Sequence, residues 1–180
     1  MSPLGWPDYR PDDLRSRRGL RIGVHRRGYG IPHDSDECRP ALREVIILLP
    51  AVLDFSDSFI EDDATARWRS ASGHSPSTGS RSSGSSVIEI PVGCRLPRHT
   101  DSAEETIVVI DGVAEIYVGD QHVELPAGGL AVVPEGVPHQ VRNTGAVALR
   151  FVAVYASPDV VTRYDHEVQP DGSRERHTVS

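Results

Sequence analysis

Two stretches in the second half of the chain decide its fold. Residues 93–112 read GCRLPRHTDSAEETIVVIDG, and residues 128–143 read GGLAVVPEGVPHQVRN. Their two imidazoles and two of their five carboxylates make a donor set that suits a borderline divalent metal ion if the four side chains converge. The candidate ligands are His99, Asp101, Glu105 and His139.

Short segments rich in β-forming residues follow one another through this half of the chain. Asp111-Gly112 separates two of them as a two-residue hairpin turn does, and Gly119-Asp120 separates the next pair. No helical period lies between them, so the pattern predicts an antiparallel barrel or sandwich. The predicted strands are 87–91, 106–110, 113–118, 122–125, 130–134, 139–142 and 148–155.

The two quoted stretches resemble the two sequence motifs of the cupin superfamily. The positions that match the first motif are Gly93, His99, Glu105 and Gly112, with position 101 as the second ligand position. Those that match the second are Gly128, Pro134, Gly136, His139 and Asn143. The resemblance implies an all-β fold, a small single-domain cupin barrel (double-stranded β-helix, or jelly-roll) over residues 87–157, with a partly irregular N-terminal arm before it.

One position departs from the family pattern, because Asp101 stands where the family usually has His. In one interpretation Asp101 is a ligand, in a set of two His and two carboxylates or in a His-X-Asp…His triad with Glu105 loosened. In the other it is merely polar, and three ligands remain. Ligation is favoured because a buried carboxylate without a partner is costly, whereas one that faces a divalent cation is stabilised.

Four regions follow from composition. Residues 1–44 mix Arg, Asp, Gly and Pro without a sustained period and indicate a loosely ordered N-terminal arm. Residues 45–86 hold accessory strands, with candidates at 44–49 (EVIILL) and 65–70 (TARWRS), and a flexible Ser/Gly-rich loop over 70–86. The barrel occupies 87–157, and a C-terminal tail of 158–180 follows it.

Charge and hydropathy exclude several functional classes. The net charge of −7 and the pI of about 5.6 lack the basic patch that nucleic-acid binding needs. The longest apolar run, 45–53, is broken by Pro50 and is too short to span a bilayer. Cys38 and Cys94 are too few for a disulfide framework, and the N-terminus lacks the apolar stretch of a signal peptide, so a cytoplasmic location is expected.

The resemblance implies a metal-dependent enzyme that acts on a small organic substrate, with a mononuclear dioxygenase as the leading reaction class. Glu105 and Asp101 are the predicted catalytic residues, and Fe(II) or Mn(II) is favoured over Ni, Co or Zn because carboxylate oxygens prefer harder ions. The alternatives are an O₂-independent isomerase, lyase or dehydratase, and a ligand-binding or regulatory cupin without turnover. The expected partners are a small-molecule substrate and a second copy in a homodimer, without nucleic acid or membrane.

Overall fold

The structure, a computed structural model, describes residues 53–178 and is nearly all β. The predicted arm of residues 1–44 and the predicted strand 44–49 lie outside the described residues. The strands are β1 (Ser56–Ile60), β2 (Asp63–Ser72), β3 (Gly84–Ile90), β4 (Arg95–Asp101), β5 (Glu105–Asp111), β6 (Val113–Val118), β7 (Gln121–Pro126), β8 (Leu130–Val133), β9 (His139–Asn143), β10 (Leu149–Tyr155), β11 (Val161–Val168) and β12 (Ser173–His177).

The strands form a nearly closed, barrel-shaped sheet, which confirms the predicted jelly-roll class. Its order is β7-β6-β9-β4-β2-β3-β10-β5-β8, with β1 added to β2, and β11 and β12 added beside β4. Every pairing is antiparallel except the single contact between β2 and β4. Strands distant in sequence, such as β4 and β9, therefore become neighbours, and this brings the two halves of the candidate site together.

Alternation of buried and exposed residues builds the barrel interior. Along β10, the residues that point inward are almost fully buried, and their neighbours face outward. Period-2 alternation of this kind is what a strand with one buried face requires. The largest fully buried apolar side chains are Phe151, Ile90, Ile107, Ile116 and Leu149. Truncating one of them to Ala would cost about 2–5 kcal/mol of stability.

The predicted hairpin turn at Asp111-Gly112 joins β5 to β6. Gly112 has a φ of 82°, and a Cβ built on it would lie 3.0 Å from the carbonyl oxygen of Ala148. The turn therefore needs glycine for its backbone conformation and for the close approach of a neighbouring chain segment. All seven strands predicted between residues 87 and 155 are present, as β3 and β5 to β10.

The structure differs from the predicted regions at both ends of the barrel. Residues 158–180, expected to be a tail, contain β11 and β12, and β11 pairs with β4. The stretch 70–86, expected to be one flexible loop, belongs to β2 at its start and to β3 at its end, with a short 3₁₀ turn at Pro76–Thr78 between them. The pairing of β11 with β4 and that of β2 with β3 give these polar segments backbone partners that their composition does not reveal.

Within the described residues, no helix has the length and apolar character needed to cross a membrane.

Candidate metal centre

Strands β4 and β9 place the candidate ligands inside the barrel. His99 and Asp101 are two residues apart on β4, so both side chains project inward, as the sequence predicts. His139 begins β9 and is the direct cross-strand partner of His99. Glu105 begins β5. All four residues are buried, with at most 4% of their surface exposed.

Three of the four side chains form a compact group. One donor atom from each of His99, Asp101 and His139 lies within 4.8 Å of the others. Asp101 Oδ2 is 3.8 Å from His99 Nε2 and 3.4 Å from His139 Nε2. The two imidazole rings have centroids 4.0 Å apart. A buried group of this kind could hold a metal ion.

The fourth side chain, Glu105, joins the group through one neighbour. Its Oε2 lies 3.0 Å from His139 Nε2. The structure thus brings all four predicted residues together but gathers His99, Asp101 and His139 more tightly.

Backbone contacts orient both imidazoles toward the centre. His99 Nδ1 lies 2.7 Å from the carbonyl oxygen of Pro97, and His139 Nδ1 lies 2.9 Å from that of Val137. A carbonyl can only accept, so each Nδ1 carries the proton and donates it. Each Nε2 is therefore the nitrogen that faces the group, and its lone pair is available to a cation when the ring is neutral.

A second observation, three buried atoms without hydrogen-bond partners, indicates that the donor set fits a cation. Asp101 Oδ2, Glu105 Oε2 and His139 Nε2 are buried side-chain atoms without a hydrogen-bond partner among the described residues. Buried polar atoms without partners cost about 1–3 kcal/mol each, and more when they are charged. Here they face one another, and a divalent cation between them would satisfy all three.

The pKa values show how charge is distributed over the group without a cation. Burial and the neighbouring His139 lower the pKa of His99 to about 4, so its ring is neutral at pH 7. Burial opposes the charge of His139, but its contacts with Asp101 and Glu105 prevail and raise its pKa to about 10. Burial also opposes the charge of Asp101, yet His139, His99 and Thr162 together lower its pKa, whereas burial raises the pKa of Glu105. A proton on His139 thus occupies the place that a cation would take.

Three residues around the group were not singled out as site residues by the sequence. Trp68 and Tyr164 pack with ring centroids 5.8 Å apart, and Tyr164 lies 5.4 Å from the His99 ring. Thr162 donates a hydrogen bond to Asp101. Tyr164 and Thr162 belong to β11, whose contact with β4 depends on long-range pairing, so no local pattern could have identified them.

Three arginines on the barrel strands β4, β9 and β10 are exposed, unlike the candidate ligands. Arg142 is exposed, and Arg98 is exposed next to Asp165. Arg150 is bound to Glu89 on the other face of β3 and β10 from the ligands.

These observations define a class of protein: an all-β barrel that encloses a buried group of two imidazoles and a carboxylate. Residues 86–155 match the family model described as a cupin domain. These residues form a cupin domain.

Two solved structures show the same fold. A predicted oxalate decarboxylase from Thermotoga maritima is 18% identical, with a TM-score of 0.53 over 62% of this chain and 99% of that one. The polyketide cyclase RemF from Streptomyces resistomycificus is also 18% identical, with a TM-score of 0.52 over 65% of this chain and 84% of that one. The cupin domain of Cnp3 from Schizosaccharomyces pombe is 22% identical, with a TM-score of 0.46 over 50% of this chain.

The match to the Cnp3 domain spans 64% of its length, which is less than two thirds of that chain. A search of curated proteins found no significant sequence match. At these identities the similarity concerns the fold, which supports many reactions, so the reaction has to be argued from the site.

Proposed function

We propose that the protein is a mononuclear metal-dependent enzyme that acts on a small organic substrate, with O₂ as co-substrate in a dioxygenase reaction. The observation that carries this proposal is the buried His99, Asp101 and His139 group, whose donor atoms lie within 4.8 Å of one another. Two His and one carboxylate on one side of an ion are typical of non-haem Fe(II) oxygenases.

The carboxylate of Asp101 favours a harder metal. Replacing a neutral imidazole with a carboxylate lowers the formal charge of the bound site by one and adds an oxygen donor, which shifts the preference toward Fe(II) or Mn(II) over Ni, Co or Zn. When bound, such an ion supplies Lewis acidity and open coordination positions where a substrate oxygen and O₂ can meet.

Glu105 is suited to move a proton. Burial raises the pKa of its carboxyl group toward the range in which a general base works at neutral pH. Its Oε2 has no hydrogen-bond partner within the described part of the chain. Asp101, the other predicted catalytic residue, has one oxygen bound by Thr162 and the other directed at the two imidazoles. We therefore assign proton transfer to Glu105 and metal binding to Asp101.

The same position of Glu105 favours a second candidate. A general base beside a Lewis-acidic ion suffices for an O₂-independent isomerase, lyase or dehydratase, in which Glu105 moves a proton at a carbon next to a carbonyl. The two candidates separate when substrate turnover by the Fe(II)-loaded protein is assayed with and without O₂. Turnover in air with stoichiometric O₂ consumption supports the dioxygenase, and equal turnover under argon supports the second candidate.

A binding module without turnover is the third outcome. Protein that retains no metal after anaerobic purification and Fe(II) loading would refute both enzymatic proposals. The predicted homodimer stays a prediction, which sedimentation of the full chain would test.

A further inference from the structure

We propose that Thr162, on the strand β11 that follows the matched cupin domain, is a positioning residue that holds Asp101 as a one-oxygen ligand. The inference rests on the proposed metal site and identifies what supports its unusual carboxylate. The evidence for it is that the Thr162 hydroxyl group contacts both Asp101 and Thr178.

The first observation is register. Thr162 is the direct cross-strand partner of Asp101 in the pairing of β11 with β4. Directly opposed residues in an antiparallel pair have Cβ atoms only about 5 Å apart, within reach of a short side chain. Both residues are buried, with 2% and 4% of their surface exposed. The contact between them is therefore protected from water.

The second observation is the direction of the hydrogen bonds. Thr162 Oγ1 lies 2.5 Å from Asp101 Oδ1, and the ionised carboxylate can only accept, so the single hydroxyl proton of Thr162 is donated to Asp101. Thr162 Oγ1 also contacts Thr178 Oγ1. With the proton of Thr162 already used, Thr178 has to be the donor in that contact. A chain of hydroxyl groups thus runs from Thr178 through Thr162 to Asp101.

The third observation concerns Thr178, the last residue in this series of hydrogen-bonded hydroxyl groups. Thr178 follows β12, and its amide donates to the carbonyl oxygen of Val160 at 2.9 Å. Its own carbonyl accepts from Ser86 Oγ at 3.2 Å. The backbone of the residue that orients Thr162 is therefore held on two sides, by Val160 and by Ser86 of β3.

Together these contacts give the two carboxylate oxygens of Asp101 different roles. Oδ1 is occupied by Thr162, whereas Oδ2 has no hydrogen-bond partner among the described residues and faces His99 and His139. The carboxylate is thereby held in the rotation that presents one oxygen to the ion. Partners of this kind, behind a ligand, fix its orientation and influence metal affinity. Residues after 155 thus complete a site whose ligands all lie within the matched domain.

The experiment measures the affinity and the visible absorption spectrum of Co(II) in the full chain. Thr162→Val removes the hydroxyl and keeps the shape, and Thr162→Ser keeps the hydroxyl. Thr106→Val is the matched control, because Thr106 alternates with the buried Glu105 and Ile107 on β5 and is only partly buried. We expect Thr162→Val to weaken Co(II) binding by about 10- to 100-fold and to alter the spectrum. Thr162→Ser and Thr106→Val should remain within about threefold of the wild type.

A second background tests whether Thr162 acts through Asp101. In Asp101→His the carboxylate is absent, so Thr162→Val should change Co(II) affinity by less than about threefold there. An equal loss in both backgrounds would mean that Thr162 acts through the fold, and it would overturn the proposal. Unchanged affinity and spectrum in Thr162→Val, with a wild type that binds Co(II), would overturn it too and leave the metal site standing.

A wild type that binds no Co(II), Mn(II) or Fe(II) would overturn the metal site and this inference together. If Thr162→Val does not fold, Thr162→Ala takes its place, since it lacks the hydroxyl and adds no bulk. The same criteria then apply to it.

Discussion

The Nε2 atom of His139 lies 3.4 Å from Oδ2 of Asp101, although the two residues come from different strands and are 38 positions apart in the chain. Neither atom has a hydrogen-bond partner within the described residues. Opposed donors without partners, enclosed by a barrel, are the arrangement that a metal ion stabilises. The predictions below follow from it.

Replacing His139 should abolish metal binding. His139→Ala removes one of the three grouped donors, so we expect metal affinity to fall by more than the roughly 100-fold that loss of a supporting residue costs. In the metal-free protein it also leaves Asp101 and Glu105 without their buried positive partner, which lowers the free energy of unfolding by about 3–5 kcal/mol. Elemental analysis measures the metal, and circular dichroism with urea unfolding measures the fold.

The control for this variant is His166→Ala, because His166 is exposed on β11. It should retain both metal and stability. Undiminished metal in His139→Ala would refute the assigned site.

Replacing Asp101 with His should be tolerated and should tighten the binding of softer divalent ions. The substitution restores the imidazole that the family usually has at this position and exchanges an oxygen donor for a nitrogen donor. We expect affinity for Ni(II), Co(II) or Zn(II) to rise by about tenfold relative to Mn(II). Competition titration measures the ratio, and a ratio equal to that of the wild type would place Asp101 outside the ligands.

Two substitutions that each remove one carboxylate charge should have different effects. Asp101→Asn alters a member of the three-donor group, so metal affinity should fall by about 100-fold or more. Glu105→Gln alters the residue assigned to proton transfer, so metal affinity should fall by less than about tenfold while turnover is lost. Calorimetric titration of both variants compares them directly. Equal losses of affinity would make Glu105 a full ligand.

Asp63 should stabilise the fold in a pH-dependent way. Its Oδ1 accepts from the Thr65 hydroxyl and from the amides of Thr65 and Ala66, and its Oδ2 contacts the Arg95 guanidinium. The hydrogen bond from the Thr65 hydroxyl is the largest cause that lowers its pKa from 3.8 to about 2, with smaller contributions from the Thr65 amide and Arg95. Because the folded state favours the ionised form, the stabilisation is present above roughly pH 5 and is lost as the pH falls toward 2.

Asp63→Asn should therefore lower the free energy of unfolding by about 1 kcal/mol at pH 7. The difference from the wild type should shrink as urea unfolding is repeated at lower pH. Asp62→Asn is the control, since Asp62 is the exposed neighbour. A difference that does not depend on pH would contradict the assigned cause.

The sequence predicts the barrel and the four inward side chains because both depend on local patterns. Alternating apolar residues define the strands, and two turns with glycine separate them. The intervals in the two motifs place His99 and His139 at the same site. Strand β4 is not among the predicted strands, since Pro97 and Arg98 interrupt any alternation of apolar residues in LPRHTD.

The hairpin of β11 and β12 could not be predicted from its composition, because β11 is placed in the fold by its pairing with β4. Most of the residues in TRYDHEV are polar or charged, and several remain exposed in the folded protein. Only the pairing of Thr162 with Asp101, 61 residues earlier, shows that this segment belongs to the site. A single sequence contains no signal for that register.

The central claim is that one divalent ion binds between His99, Asp101 and His139. The most direct test is a metal titration of anaerobically prepared protein, followed by electron paramagnetic resonance with Mn(II). The account predicts saturation at a single ion per chain, with a spectrum that changes in Asp101→Asn and loss of binding in His139→Ala. Absence of saturable binding, or the same bound spectrum in the wild type and both variants, would contradict it.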